Sequence, residues 1–188
     1  MKILFLGEAT NELFKRLKKI EDVVQTNKKV KLCEIKDYDL IISFGYRHIV
    51  KKKIIDFFKD SIVNLHISFL PYNRGADPNL WSIINDTPKG VTIHIMDENL
   101  DTGDIIFQEK VNFDYKNDTL SSSYNKLQTK IVELFLKNWD LIKSKKYIKK
   151  KQNDNLSSIH YLKDRPKNIM PNNWDTKISK VKELYYKI

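Results

Sequence analysis

Two apolar runs, each stopped by a glycine, constrain this chain more than any other feature. Lys2 to Leu6 reads KILFL before Gly7, and Asp39 to Phe44 reads DLIISF before Gly45. Continuous apolar runs of this length suit strands buried on both faces, as in a parallel sheet. Helical spacing comes between and after them. Thr10 and Asn11 offer capping oxygens to a helix through Leu13, Leu17 and Ile20, and Lys51 to Phe58 has the same period. A third apolar stretch, Ile62 to Leu65, follows. Strand, helix, strand, helix, strand predicts an α/β fold, a mostly parallel open sheet with helices on its faces. Val91, Ile93 and Ile95 then alternate with Thr92, His94 and Met96, which predicts a strand with two distinct faces. Leu120 to Ile142 carries Leu127, Ile131, Leu134, Phe135 and Trp139 in the pattern of a long amphipathic helix.

A chain of 188 residues buries one core and is short for two. The expected organisation is one α/β domain over residues 1–142 and a small basic C-terminal extension over 143–188, with the lysine-rich Lys143 to Lys151 as the linker. The net charge of +10 is concentrated there: from Leu141 onward thirteen Lys and Arg face four Asp and Glu. The near-neutral remainder does not suit a domain lying along a phosphate backbone, so a solvated tail is expected and nucleic acid is not. The tail's Trp174, Ile178, Val181, Leu184 and Tyr185 form an apolar surface that must pack on the main domain or on a second copy. No apolar run approaches the ~20 residues needed to cross a bilayer, and the Met1 to Gly7 run is too short for a signal-peptide core. A cytoplasmic setting without membrane attachment is the natural reading. The single cysteine, Cys33, permits no internal disulfide and no thiol metal site, and is expected as a small buried side chain.

Gly45, Gly75, Gly90 and Gly103, with Pro71, Pro78 and Pro88, mark residues 45–103 as the region where the backbone turns most sharply. Within it, Asn64 and His66 end an apolar strand on one face, with Leu65 on the other. The carboxyl ends of parallel strands open onto the crevice where ligands collect, so this amide and imidazole are placed for chemistry. A loop supplying Asp97, Glu98, Asp101 and Asp104 follows the next strand, and a carboxylate from it could reach the imidazole. The loop is not a calcium site: Thr102 stands where the sixth-position glycine belongs and Gln108 where the closing glutamate belongs. No other metal-ligand spacing is present, so no metal is expected. His94, along its own strand, and His160 are read as structural.

Residues Asn64 to Asp104 read NLHISFLPYNRGADPNLWSIINDTPKGVTIHIMDENLDTGD. This string closely resembles the folate-dependent formyltransferase family, which includes methionyl-tRNA and glycinamide-ribonucleotide formyltransferases, with N-x-H, S-x-L-P, R-G, G-x-T and L-D-x-G in order. The resemblance implies a Rossmann-like fold and a catalytic trio of Asn64, His66 and Asp101. It implies N10-formyltetrahydrofolate as formyl donor, held by Arg47, His48, Ile49 and Val50 with Ser68, Pro71 and Asp97. Asn64 would donate an amide hydrogen to a developing oxyanion, His66 would handle protons, and Asp101 would fix the His66 tautomer. The wording LPYNRGADPNLWS and DTPKGVTIH is most similar to enzymes that formylate amino sugars carried on nucleotide diphosphates, such as dTDP-amino-dideoxyhexoses for surface polysaccharide. On that likeness Tyr72, Arg74, Asp77, Asn79 and Trp81 would contact the sugar nucleotide. The rival substrates are methionyl-tRNA, whose enzymes carry an extra barrel domain that this tail cannot form, and glycinamide ribonucleotide. An inactive folate- or nucleotide-binding relative and a basic interaction module are the non-catalytic alternatives. The interval between the first strand and Phe44 reads as shortened relative to the family, which would leave a weaker cofactor site, a smaller substrate, or a site completed by a homodimer partner.

Overall fold

The computed structural model describes residues 1–167, 169–170 and 173–187. The glycine-stopped runs form β1 (Ile3–Leu6) and β3 (Leu40–Phe44), and the third run forms β4 (Ile62–His66). With β2 (Val23–Thr26), β6 (Gly90–Ile95) and β7 (Ile105–Lys110) they make a six-stranded sheet of order β2-β1-β3-β4-β6-β7. The first four strands are mutually parallel, β6 runs antiparallel to β4, and β7 antiparallel to β6. A two-stranded ribbon joins β5 (Arg74–Gly75) to β8 (Ile159–His160).

The two-residue period sorts side chains between the faces. Ile3, Phe5, Leu40, Ile42, Val63, Leu65, Val91 and Ile93 meet α1 (Glu12–Leu17) and α5 (Leu120–Lys137) through Leu13, Leu17, Leu127, Ile131 and Phe135. Leu4, Leu6 and Ile41 meet α2 (Leu32–Ile35) and α3 (Lys52–Phe58) through Ile35, Ile54, Ile55 and Phe58. This second face changes chemistry at β4. The residues alternating with Val63, Leu65, Val91 and Ile93 are Asn64, His66, Thr92 and His94, and polar loops cover them instead of an apolar helix.

Several expectations are corrected here. The interval read as shortened still contributes β2 and α2. β2 has no apolar run to mark it in the sequence because it lies at the sheet edge, with only Val23 buried. Cys33 is exposed, since α2 is a single turn that puts Ile35 inward. Ile20 lies beyond the end of α1 and is 60% exposed. The long helix stops at Lys137, where Asn138 bonds back to Leu134 O at 2.8 Å, and α6 (Trp139–Lys143) continues as a separate short piece.

The lysine-rich stretch runs as a tied strap. Lys150 exchanges two backbone hydrogen bonds of 2.9 Å with Ile105, and Lys145 Nζ reaches Ser61 Oγ at 2.5 Å. Beyond it, α7 (Ile178–Tyr185) buries Ile178 and Val181 completely against Leu80, Trp81, Ile83 and Ile84 of α4 (Pro78–Ile84). Of the tail's apolar surface, Ile178, Val181, Leu184 and Tyr185 thus pack on the same chain's main body, while Trp174 stays 45% exposed. No helix among the described residues is long and apolar enough to cross a membrane.

Candidate active site

Because β6 is antiparallel to β4, Asn64 lies directly across from His94 and His66 across from Thr92. The loop after β6 brings Asp101 to the same place. Asn64 Nδ2 donates to Asp101 Oδ1 at 3.2 Å, and the Gly75 N–H donates to Asp101 Oδ2 at 2.9 Å. His66 Nδ1 stands 3.5 Å from Oδ2. The trio Asn64, His66 and Asp101 therefore converges around one carboxylate. Asp101 occupies the left-handed region at φ 55°, where a non-glycine residue stays only under strong local constraint. Gly75 sits at φ 87°, and a Cβ there would lie 2.3 Å from the His160 carbonyl oxygen, so only glycine can present that N–H.

His94 belongs to this cluster, contrary to its reading as a structural residue apart from it. Its Nε2 is 3.0 Å from Asn64 Nδ2 and 3.5 Å from Asp101 Oδ1. Its residue type and face were legible, but only the antiparallel register shows that it faces Asn64. The partners also fix the protons. A backbone carbonyl only accepts, so His94 Nδ1 donates to Ile95 O at 2.9 Å and, in the neutral ring, Nε2 accepts from Asn64. A carboxylate likewise only accepts, so the Asn64 amide nitrogen must face Asp101. Both Asn64 amide hydrogens are then engaged, one by His94 and one by Asp101. His66 Nε2 donates to Asn73 O at 2.9 Å, leaving Nδ1 toward Asp101. Burial works to raise the Asp101 pKa, but the Gly75 N–H and the protonated forms of the His66 and His94 rings, which turn Nδ1–H and Nε2–H toward the carboxylate, outweigh it. The carboxyl is held well below the usual carboxylate range.

A cavity of about 580 Å³ opens beside the cluster, lined by Asn64, His66, Asp101, Asp97 and the loop residues Arg47, His48, Ile49 and Val50. Leu65, Ile67, Met96 and Leu100 make much of its wall apolar. A larger cavity of about 1180 Å³ adjoins it, sharing Gly45, Arg47, Gly75 and Tyr124, and is walled by Asp77 and the tail residues Tyr161, Leu162, Arg165 and Trp174. Both have the scale of small-molecule sites. No signal in the sequence pointed to these tail residues, whose placement depends on how the chain returns across α4.

Other candidate residues lie elsewhere. Ser68 is buried in a turn, donating to Tyr72 O at 2.5 Å, and neither Ser68, Pro71 nor Tyr72 lines either cavity. Asn79 donates inward to Leu120 O and Ser123 Oγ. Trp81 is buried under α7 and stacks on His160 with ring centroids 4.0 Å apart. Arg74 is buried and turned toward Gln152 and Asp154. None of these six lines either cavity: Ser68 is held within its own turn, Asn79 against α5, Trp81 under α7 and Arg74 toward the strap. Asp77 does reach the larger cavity, bonded by both oxygens to Arg165 at 2.8 and 2.7 Å. Asp97 uses Oδ1 to hold its own loop through Thr102 and Asn99.

Comparison with known proteins is consistent with this geometry. The chain is 42% identical to the formyltransferase PseJ from Anoxybacillus kamchatkensis, solved in complex with UDP-4,6-dideoxy-4-formamido-L-AltNAc and tetrahydrofolate. That match has a TM-score of 0.90 and covers 96% of this chain and 97% of that one. A 4-N formyltransferase from Francisella tularensis is 29% identical, with a TM-score of 0.77 over 97% of this chain and 86% of that one. Among curated proteins, the methionyl-tRNA formyltransferase of Finegoldia magna is 36% identical over 128 residues, which is 64% of this chain and 39% of that one. The match thus spans well under half the length of that relative. A family model described as formyl transferase matches residues 6–138, a stretch that runs from the first strand through the end of α5 and contains the whole Asn64, His66, Asp101 cluster. On that match the chain belongs to the formyl transferase family.

Proposed function

We propose that this protein transfers a formyl group from N10-formyltetrahydrofolate to the amine of a nucleotide-linked amino sugar. The observation that carries the reading is the match to PseJ, which follows this chain through the tail that walls the larger cavity. The smaller cavity fits the donor: its walls are largely apolar, as a flat pterin ring requires, and one end opens onto His66 and Asp101. The larger cavity, with Arg47, Tyr124 and Trp174, suits the sugar nucleotide, and UDP is the nucleotide named for the relative.

The bound donor supplies an electrophilic formyl carbon. The protein's part is to orient the amine, stabilise charge on the formyl oxygen and move a proton. The His66–Asp101 pair takes the proton that the attacking amine sheds, with Asp101 ionised throughout and His66 held in place by Asn73 O. Asn64 stabilises the oxyanion by releasing its longer bond, the 3.2 Å contact to Asp101, while the 3.0 Å contact to His94 keeps the amide oriented. A donor of this kind is worth ~3 kcal/mol in the transition state.

Methionyl-tRNA formylation is the second reading, favoured by the 36% identity to the Finegoldia magna enzyme. Against it stands coverage of the relatives' own length: that match takes in 39% of the Finegoldia magna enzyme, whereas the PseJ match takes in 97% of PseJ. Incubation with 10-formyltetrahydrofolate and a panel of UDP- and dTDP-linked amino sugars, glycinamide ribonucleotide and methionyl-tRNA decides between them. A mass gain of one formyl group on a sugar nucleotide is expected. Formylated methionyl-tRNA with inert sugar nucleotides, or salt-sensitive RNA binding without turnover, would sink the reading.

A further inference from the structure

The chain holds Asp101 from its backbone as well as from its carboxylate, and the backbone grip comes from the tail. Gln152 Nε2 donates to Asp101 O at 2.9 Å and to Gly103 O at 2.8 Å. Its Oε1 accepts from Arg74 Nε at 3.1 Å and from Arg74 Nη2 at 2.8 Å. All four hydrogen-bonding positions of the amide are used, and two carbonyls on one side with a cation on the other admit a single orientation. Arg74 is itself anchored, Nη2 binding Asp154 Oδ1 at 2.7 Å, and it immediately precedes the Gly75 whose N–H holds the Asp101 carboxylate. The strap delivers Gln152 to this place through the Lys150–Ile105 pair and an ion pair of 3.0 Å from Lys151 to Asp104. Gln152 opens onto a different cavity from the two beside the cluster, so it acts through Asp101 and not on a ligand.

We propose that Gln152 is a positioning residue for the His66–Asp101 pair, fixing the left-handed turn at Asp101 so that its carboxylate meets His66, Asn64 and Gly75 together. The proposal rests on the formyl-transfer reading for its kinetic consequence but not for its structural one. Gln152→Leu removes the donor and the acceptor at nearly constant size. Gln152→Glu keeps the Arg74 contact and sets a carboxylate against two carbonyls, and it carries the test if the leucine variant does not fold.

In either variant kcat falls about 10- to 100-fold, the loss expected from a small misplacement of a reacting group, with the donor KM little changed. The Asp101 carboxyl, followed by 13C NMR, moves up toward the ordinary value of about 4. A purely structural tie would lower the melting temperature and leave that titration in place. An active wild type beside a folded variant with unchanged kcat and unchanged Asp101 titration overturns the proposal alone. An inert wild type whose Asp101 titration still moves in the variant sinks the formyl-transfer reading and upholds the clamp.

Discussion

Asn64 donates both amide hydrogens inside the protein, one to His94 and one to Asp101, and that arrangement decides what each neighbour does. Replacing His94 with Phe leaves an Asn64 N–H and the Ile95 carbonyl without partners. The expected loss is ~2–3 kcal/mol of stability in urea unfolding and at least about a tenfold fall in kcat, because the amide is free to swing. A variant with wild-type unfolding and rate would remove His94 from the site. For Asp101→Asn the fall in kcat is expected to be of order 10² to 10⁴, with substrate binding largely kept. The same variant has a pH signature. Asp101 has a folded-state pKa below its unfolded value, so its contribution is full above about pH 4 and is lost as pH falls through the folded-state value. The urea midpoints of wild type and Asp101→Asn should therefore differ by a constant amount from pH 8 to about pH 5 and draw together below about pH 4. A gap that widens in acid would show that Asp101 is not held in its charged form. Of these residues, the period of two alone put Asn64 and His66 on one face. Asp101 needed the family resemblance, and His94 needed the strand register, which no single stretch of sequence encodes.

The tail is held to α4 by side chains whose pattern was visible but whose destination was not. Ile178 and Val181 recur at helical spacing, and the structure buries both against Leu80, Trp81, Ile83 and Ile84. Val181→Asp places an unpaired carboxylate in that contact and should cost ~3 kcal/mol or more, lowering the melting temperature and exposing Trp81 to quenchers. Wild-type melting with protected indole fluorescence would mean that α7 is not docked there. The two glycine-stopped runs and the run at Ile62 gave their strands within a residue, because strands buried on both faces leave an unbroken apolar signature. The edge strand β2 left no such signature, since most of it stays partly or fully exposed. The stop at Lys137 was equally hidden: Trp139 continues the apolar spacing, yet its indole Nε1 is drawn to Glu21 at 3.0 Å, a contact 118 residues away in sequence.

Two cavities adjoin at Arg47, Gly75 and Leu100, and they draw on different parts of the chain. The smaller is built mainly from the ends of β3, β4 and β6 with the loops that follow them, while the larger adds Leu162, Arg165 and Trp174 from the tail. Ile49, 86% exposed, belongs only to the first, and Trp174, 45% exposed, only to the second. If the donor occupies one and the sugar nucleotide the other, single substitutions should separate the two Michaelis constants. Trp174→Ala removes an aromatic contact worth about 1 kcal/mol and should raise the sugar-nucleotide KM about fivefold, leaving donor KM and kcat near the parent values. Ile49→Asp should do the reverse, since a charge at an apolar wall disfavours the ring of the donor and touches nothing in the larger cavity. Both side chains are exposed and carry little of the fold, so folding does not confound either result. Steady-state kinetics with each substrate varied in turn reads the outcome. Matching rises in both constants for either variant would mean that the cavities are one site, and the assignment of donor and acceptor to separate chambers would fall.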